Sequence, residues 1–144
     1  MTLSAGPVAA AFGALSEQRC RELLASRHEG RIAWEAPDGP QLLPVSYALH
    51  HGAIAFRTSP YGVLSQLQRP TAVAFEIDDL HPADGIAWSV LVRGRPEPVT
   101  SATDLAALWG RAEMVPWATG TRNLVILVTE RSISGRAVTA PHAR

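Results

Sequence analysis

The sequence predicts an antiparallel β-barrel with peripheral helices, mainly β within the α+β class. Short apolar runs rich in Val, Ile, Leu and Ala recur along the chain, and most are joined by tight turns such as His51-Gly52. Helical start signals are few, so the regular strand-helix alternation of a doubly wound sheet is missing.

Each element has its own local cause. Ser16 is a good N-cap, Glu17 places negative charge in the first turn, and Cys20, Leu23 and Leu24 form an inner stripe, which predicts a helix through about Ser26 that Gly30 ends. Arg31-Ile32-Ala33-Trp34 reads as a strand, Pro37-Asp38-Gly39 as a turn, and Leu42-Leu43-Pro44-Val45 as the returning chain. Pro44 to Leu49 stays extended, His51-Gly52 turns it, and Ala53-Ile54-Ala55-Phe56 returns to Arg57, Thr58 and Ser59. Pro60 and Gly62 break that strand, and Val63 to Leu67 predicts a short helix. Thr71 to Ile77 is strand-like and ends in Asp78-Asp79. Ile86 to Val99 is long for one strand, and Gly94 with Pro96 predicts a bulge or bend in it. Ser101 with Asp104 caps a helix through Ala112 that carries Leu105, Leu108 and Trp109 on one face, and Leu124 to Val128 is the most β-rich run. The sum is six or seven strands with two or three helices.

At 144 residues, 47% of them hydrophobic, the chain can bury one substantial core. A single domain over 15–138 is expected, with a flexible N-terminal arm at 1–14 and a polar tail at 139–144. Thirteen basic and thirteen acidic residues cancel, which leaves no electrostatic footprint for nucleic acid or an anionic membrane. The apolar run from Ala9 to Leu15 has no basic region before it and is too short to span a bilayer, so a cytoplasmic protein is expected. All thirteen basic residues are arginine. Lysine Schiff-base chemistry is thereby excluded, and an anion must be held by arginine, hydroxyls or backbone. Cys20 has no intrachain disulfide partner and falls on the helix's inner stripe, where it reads as core.

The segment Pro44 to Asp79 concentrates the chemistry. Its second strand delivers Arg57, Thr58 and Ser59 to the start of the short helix, so a guanidinium fork, two hydroxyls and a helix N-terminus are expected to converge on a phosphate monoester. Other clusters read more plainly. Adjacent residues on a strand point to opposite faces and no third ligand is placed by sequence, so His50 and His51 read as turn histidines and no metal site is expected. Glu76, Asp78, Asp79, His81 and Asp84 lack the spacing of a calcium loop and read as a solvated strand end. Arg93 and Arg95 read as outward arginines about a bulge at Gly94. No serine-histidine-acid motif is present, which argues against covalent hydrolysis and nominates no catalytic residue.

The order and spacing of several pieces resemble the FMN-binding split β-barrel proteins related to pyridoxamine 5′-phosphate oxidase, in particular small actinobacterial members. These pieces are Leu15-Ser16-Glu17 with Cys20 and Leu23-Leu24, Gly30 to Ala33, Pro44 to Tyr47, Phe56-Arg57-Thr58, Val73 to Asp78, Trp88 to Gly94, Pro116-Trp117 and Ile133 to Arg136. The resemblance implies a split antiparallel barrel and a homodimer with two FMN sites at the subunit interface, each built from both chains. It implies that Val45, Ser46 and Tyr47 line the isoalloxazine, that Arg57, Thr58 and Ser59 meet the phosphate, and that the partner contributes near Trp88, Ser89 and Trp117. An oxidoreductase that moves electrons or hydride between NAD(P)H and a small acceptor follows from the same resemblance. The chain departs from the family at Val63, where a lysine is usual. Losing one charge-assisted contact costs roughly 1.5 to 3 kcal/mol. FMN, a deazaflavin such as F420, and a non-enzymatic barrel with a lost flavin site are therefore the alternatives.

Overall fold

The computed structural model describes residues 12–114 and 123–139. Its strands are β1 (Phe12–Ala14), β2 (Glu29–Ala36), β3 (Gly39–His50), β4 (Ala53–Thr58), β5 (Val73–Asp79), β6 (Ile86–Pro98) and β7 (Leu124–Thr139). Two α-helices, α1 (Glu17–Ala25) and α2 (Ala102–Trp109), and 3-10 turns at Val63–Gln68 and Ala112–Met114 complete it. Every pairing is antiparallel. The order β1-β7-β4-β3-β2-β5-β6 closes on itself because β6 also pairs with β7 along its whole length, from Ile86 opposite Thr139 to Pro98 opposite Ile126.

The caps read from sequence are in place. Ser16 Oγ accepts from the Arg19 N–H at 3.1 Å, and Ser101 Oγ accepts from the Asp104 N–H at 3.3 Å. The bulge also falls as expected, between Arg93 and Gly94, where a side chain on Gly94 would collide with the Thr129 carbonyl.

Four elements differ in extent from the sequence reading. Residues 12–14, expected to end a flexible arm, form β1 against Arg136–Val138 of β7. The two extended runs around Pro44 are one strand, β3, because Pro44 stands beyond the β3–β4 pairing, which starts at Tyr47, and a missing N–H on that side breaks no ladder. The last helix stops at Trp109, with Gly110 as its C-cap, since glycine is a poor helix former. β7 runs on from Val128 to Thr139, a half with few apolar residues that is held by ladders on both sides, to β6 and β1.

Alternation fills the barrel. Ile32, Trp34, Val45, Tyr47, Phe56, Phe75, Ile77, Val90, Val92 and Ile126 point inward and are buried, and α1 plugs one opening with Cys20, Leu23 and Leu24. Each such side chain contributes about 1.5 to 3 kcal/mol. Two polar contacts hold the plug. Arg21 reaches both Glu130 oxygens on β7 at 2.8 and 2.7 Å, a bidentate fork, and the Tyr47 hydroxyl donates to the Leu24 carbonyl at 2.7 Å. That carbonyl lies in the last turn of α1, where no intrahelical donor remains, and burial pushes the Tyr47 pKa up so that its O–H stays a donor. A smaller cluster on the outside of β3, β4 and β7 packs Ala48, Ala55 and Val125 beneath Leu108 of α2 and Met114.

Tyr47→Phe leaves the Leu24 carbonyl buried without a donor. It should lower unfolding free energy by about 1 to 3 kcal/mol in urea titration. Tyr61→Phe, at a side chain 91% exposed, should leave stability unchanged.

Candidate functional site

On β4 the alternation that builds the core also sorts the expected phosphate ligands. Ile54, Phe56 and Thr58 point into the barrel, and Ala55 and Arg57 point out. Thr58 is buried and turns away from Arg57. Ser59 Oγ accepts from the Tyr61 N–H at 3.1 Å and serves the turn. The helix expected after it is a six-residue 3-10 segment whose N-cap, Gly62, offers no side chain. The convergence of Arg57, Thr58, Ser59 and a helix N-terminus is therefore not formed: Arg57 remains on the outer wall with different neighbours.

Those neighbours come from β3 and α2. Tyr47 is paired with Phe56, and continuing that register by one residue sets Ser46 against Arg57, both outward and half-buried. Val45 and Tyr47 point inward and are buried, so they can meet a ligand on this wall only through their backbone. The Arg57 guanidinium lies 4.2 Å from the centroid of the Trp109 ring, within cation-π range. Trp109 itself was assigned from sequence only to a helix face, because nothing local links it to Arg57. Val63 is 47% exposed, so a longer side chain there would extend into solvent.

The remaining expected residues lie far away. Trp88 packs against the core at the other end of the barrel, with the Arg27 guanidinium 5.1 Å from its ring centroid. Ser89 points outward between Asp78 on β5 and Arg136 on β7. Arg57 is paired with Val125 on that same β7, eleven residues before Arg136, a contour of roughly 35 Å. One chain thus cannot bring Arg57 and Ser89 to one small ligand. Trp117 lies outside the described residues.

The acidic cluster is occupied by arginine. Arg31 bridges Glu76 at 3.4 Å and Asp78 at 3.2 Å, and Arg27 reaches Asp79 at 3.3 Å. Asp79 also accepts from the His81 N–H, and Asp84 accepts from the Ile86 N–H. Elsewhere a groove of about 470 Å³ is floored by Ala33, Val73 and Ala74 and rimmed by Arg93, Arg95 and Arg131. It is the more apolar concavity, and Arg57 does not line it.

The closed antiparallel barrel, plugged by one helix and carrying an arginine against a tryptophan on an outer wall, defines a class of small barrel protein. A sequence profile for pyridoxamine 5′-phosphate oxidase matches residues 16–137, and the chain belongs to that family. It is 27% identical over 131 residues to the uncharacterized protein Rv0080 of Mycobacterium tuberculosis, covering 88% of this chain and 85% of that one. A structure from Corynebacterium glutamicum, provisionally named a pyridoxamine 5′-phosphate oxidase, superposes with a TM-score of 0.78 at 29% identity, covering 92% of this chain and 96% of that one. The FAD binding protein of Mycobacterium smegmatis superposes with a TM-score of 0.74 at 30% identity, covering 90% of this chain and all of that one (100%). Among the described residues no helix is long and apolar enough to cross a membrane.

On the sheet face, burial first, then the hydrogen bond and charge of Asp78, push the Glu76 carboxyl up to about 7, with Arg31 opposing. The folded state therefore holds this proton more tightly than the unfolded chain does. The stability it contributes is complete below the ordinary value of 4.5 and is lost as pH rises through about 7. Glu76→Gln should raise the melting temperature relative to the parent at about pH 8 and bring little change at about pH 4.

Proposed function

We propose that the chain is a homodimeric flavin-binding oxidoreductase, with FMN as its cofactor, and that each flavin lies on the outer β3–β4 wall of one subunit and is completed by the Trp88–Ser89 end of the other. The observation that carries this reading is the placement of Arg57: a half-buried arginine on the outer wall, its guanidinium 4.2 Å from the centroid of the Trp109 ring and beside Ser46. Such a place suits an anionic group attached to an aromatic body. Family membership supports it, and so does the separation of Arg57 from Ser89, since a second copy with its barrel reversed would bring the two together. The residues fit the cofactor in kind: Arg57 would hold phosphate, the Ser46 hydroxyl and the backbone of β3 would meet the ring edge, and Val63 supplies no charge.

A bound flavin would supply reversible two-electron chemistry between a reduced nicotinamide and a small acceptor. The chain's own work is to bind, orient and exclude water, with no side chain required as acid or base. FAD is the second reading, favoured by the FAD binding protein of M. smegmatis at 30% identity. Its diphosphate spreads charge away from the position that Val63 leaves neutral.

The test is the visible absorption of purified protein incubated separately with FMN, FAD and F420 and then desalted. One equivalent of FMN per chain is expected, and a protein that retains none of the three overturns the proposal. Arg57→Ala should weaken retention by roughly tenfold or more, and by a larger factor at low salt than at high salt, since part of the contact is Coulombic. Val63→Lys should tighten FMN by a similar factor, and an unchanged affinity would remove position 63 from the phosphate's surroundings.

A further inference from the structure

We propose that His50, His51 and Asp104 form a three-ligand site for a zinc-class divalent cation, with a fourth position open to water. Sequence alternation placed the two histidines on opposite faces, but the backbone does otherwise. The β3–β4 turn puts both His51 and Gly52 at positive φ, 50° and 83°, as a two-residue hairpin turn requires. His51 is the one non-glycine residue in that region among those described. The chain has left the strand's alternation by that point, so the two imidazoles come together with centroids 4.2 Å apart.

The third ligand arrives from α2. Ser101 caps that helix by accepting the Asp104 N–H, which fixes Asp104 in the first turn with its carboxylate toward the hairpin. Asp104 Oδ1 lies 2.9 Å from His50 Nε2, and one ligand atom from each of the three residues falls within 4.8 Å of the others. Two ligands each about 2.1 Å from a tetrahedral ion stand about 3.4 Å apart, so the pair need open by only about half an ångström. The His50–Asp104 hydrogen bond accounts for two of these groups and leaves the nearby second ring unexplained, whereas a cation uses all three.

The donor set selects the metal. Two imidazole nitrogens and one carboxylate oxygen suit zinc and its neighbours in the late first row, and are poor for calcium or magnesium, which take mostly oxygen. The His50 side chain is 12% exposed and that of Asp104 43%, so one side of the ion would be screened and the other would face solvent. Bound metal would clamp the β3–β4 hairpin to α2, the helix that also bears Trp109. The inference is independent of the flavin reading, since it uses none of the residues assigned to the flavin.

The full-length protein, stripped with a chelator and free of flavin, is titrated with Co2+ and followed by its visible ligand-field absorption. Saturation near one equivalent per chain is expected. His51→Gly keeps the turn, since glycine accepts positive φ, and Asp104→Asn keeps the shape of the helix start. Loss even of groups that only orient metal ligands costs 10- to 100-fold, so each variant should weaken Co2+ by about tenfold or more, with His81→Ala unchanged. Zn2+ should raise the melting temperature of the parent and not of His51→Gly. Absence of saturable Co2+ binding, or titrations of His51→Gly and Asp104→Asn that match the parent, would overturn the site.

Discussion

The fold depends on one strand having three partners. β7 pairs with β4 near its start, with β1 near its end, and with β6 throughout. Closure through β7 turns the inner faces of six strands into a single sealed core and leaves α1 only one opening to plug. It also fixes the distance between the two ends of the wall. Because Val125 is beside Arg57 and Arg136 is beside Ser89, the register of this strand sets those two segments at opposite ends of the strand. A barrel closed this way does not complete a ligand site from both segments within one chain, which is why the proposed site draws one segment from each of two copies.

Charge chemistry here is carried entirely by arginine, and the structure spends it in three different ways. Arg21 forks onto Glu130 and ties the plug helix to β7. Arg31 sits across Glu76 and Asp78 and keeps a like-charge pair tolerable on an open sheet face. Arg57 lies against Trp109 on the outer wall. The first two are used up by carboxylates. The third lies against an aromatic ring, and that placement on the outer wall is what the flavin proposal uses.

Much of this was legible in the chain. Ser16 and Ser101 announce their helices because capping is local chemistry, and Gly94 announces its bulge because only a residue without a side chain fits against the Thr129 carbonyl. The barrel could be read from turn-linked strands, and its membership of the oxidase family from the order of short motifs. Long-range pairings could not be read. The second half of β7 has few apolar residues and is a strand because of its ladders. Arg57 and Trp109 meet through α2 folding back on the wall, and Asp104 reaches His50 by the same route. The Thr58 hydroxyl was misplaced for a simpler reason: a period of two sends neighbouring residues to opposite faces, and the convergence expected of Arg57, Thr58 and Ser59 ignored it.

The most direct test of the account is a crystal structure of the protein loaded with FMN. The account predicts a dimer in which the flavin phosphate lies within hydrogen-bond distance of Arg57 on the outer β3–β4 wall of one subunit, and the ring is approached by the Trp88–Ser89 end of the other. A flavin seated in the groove rimmed by Arg93, Arg95 and Arg131, or bound wholly within one chain, would contradict it.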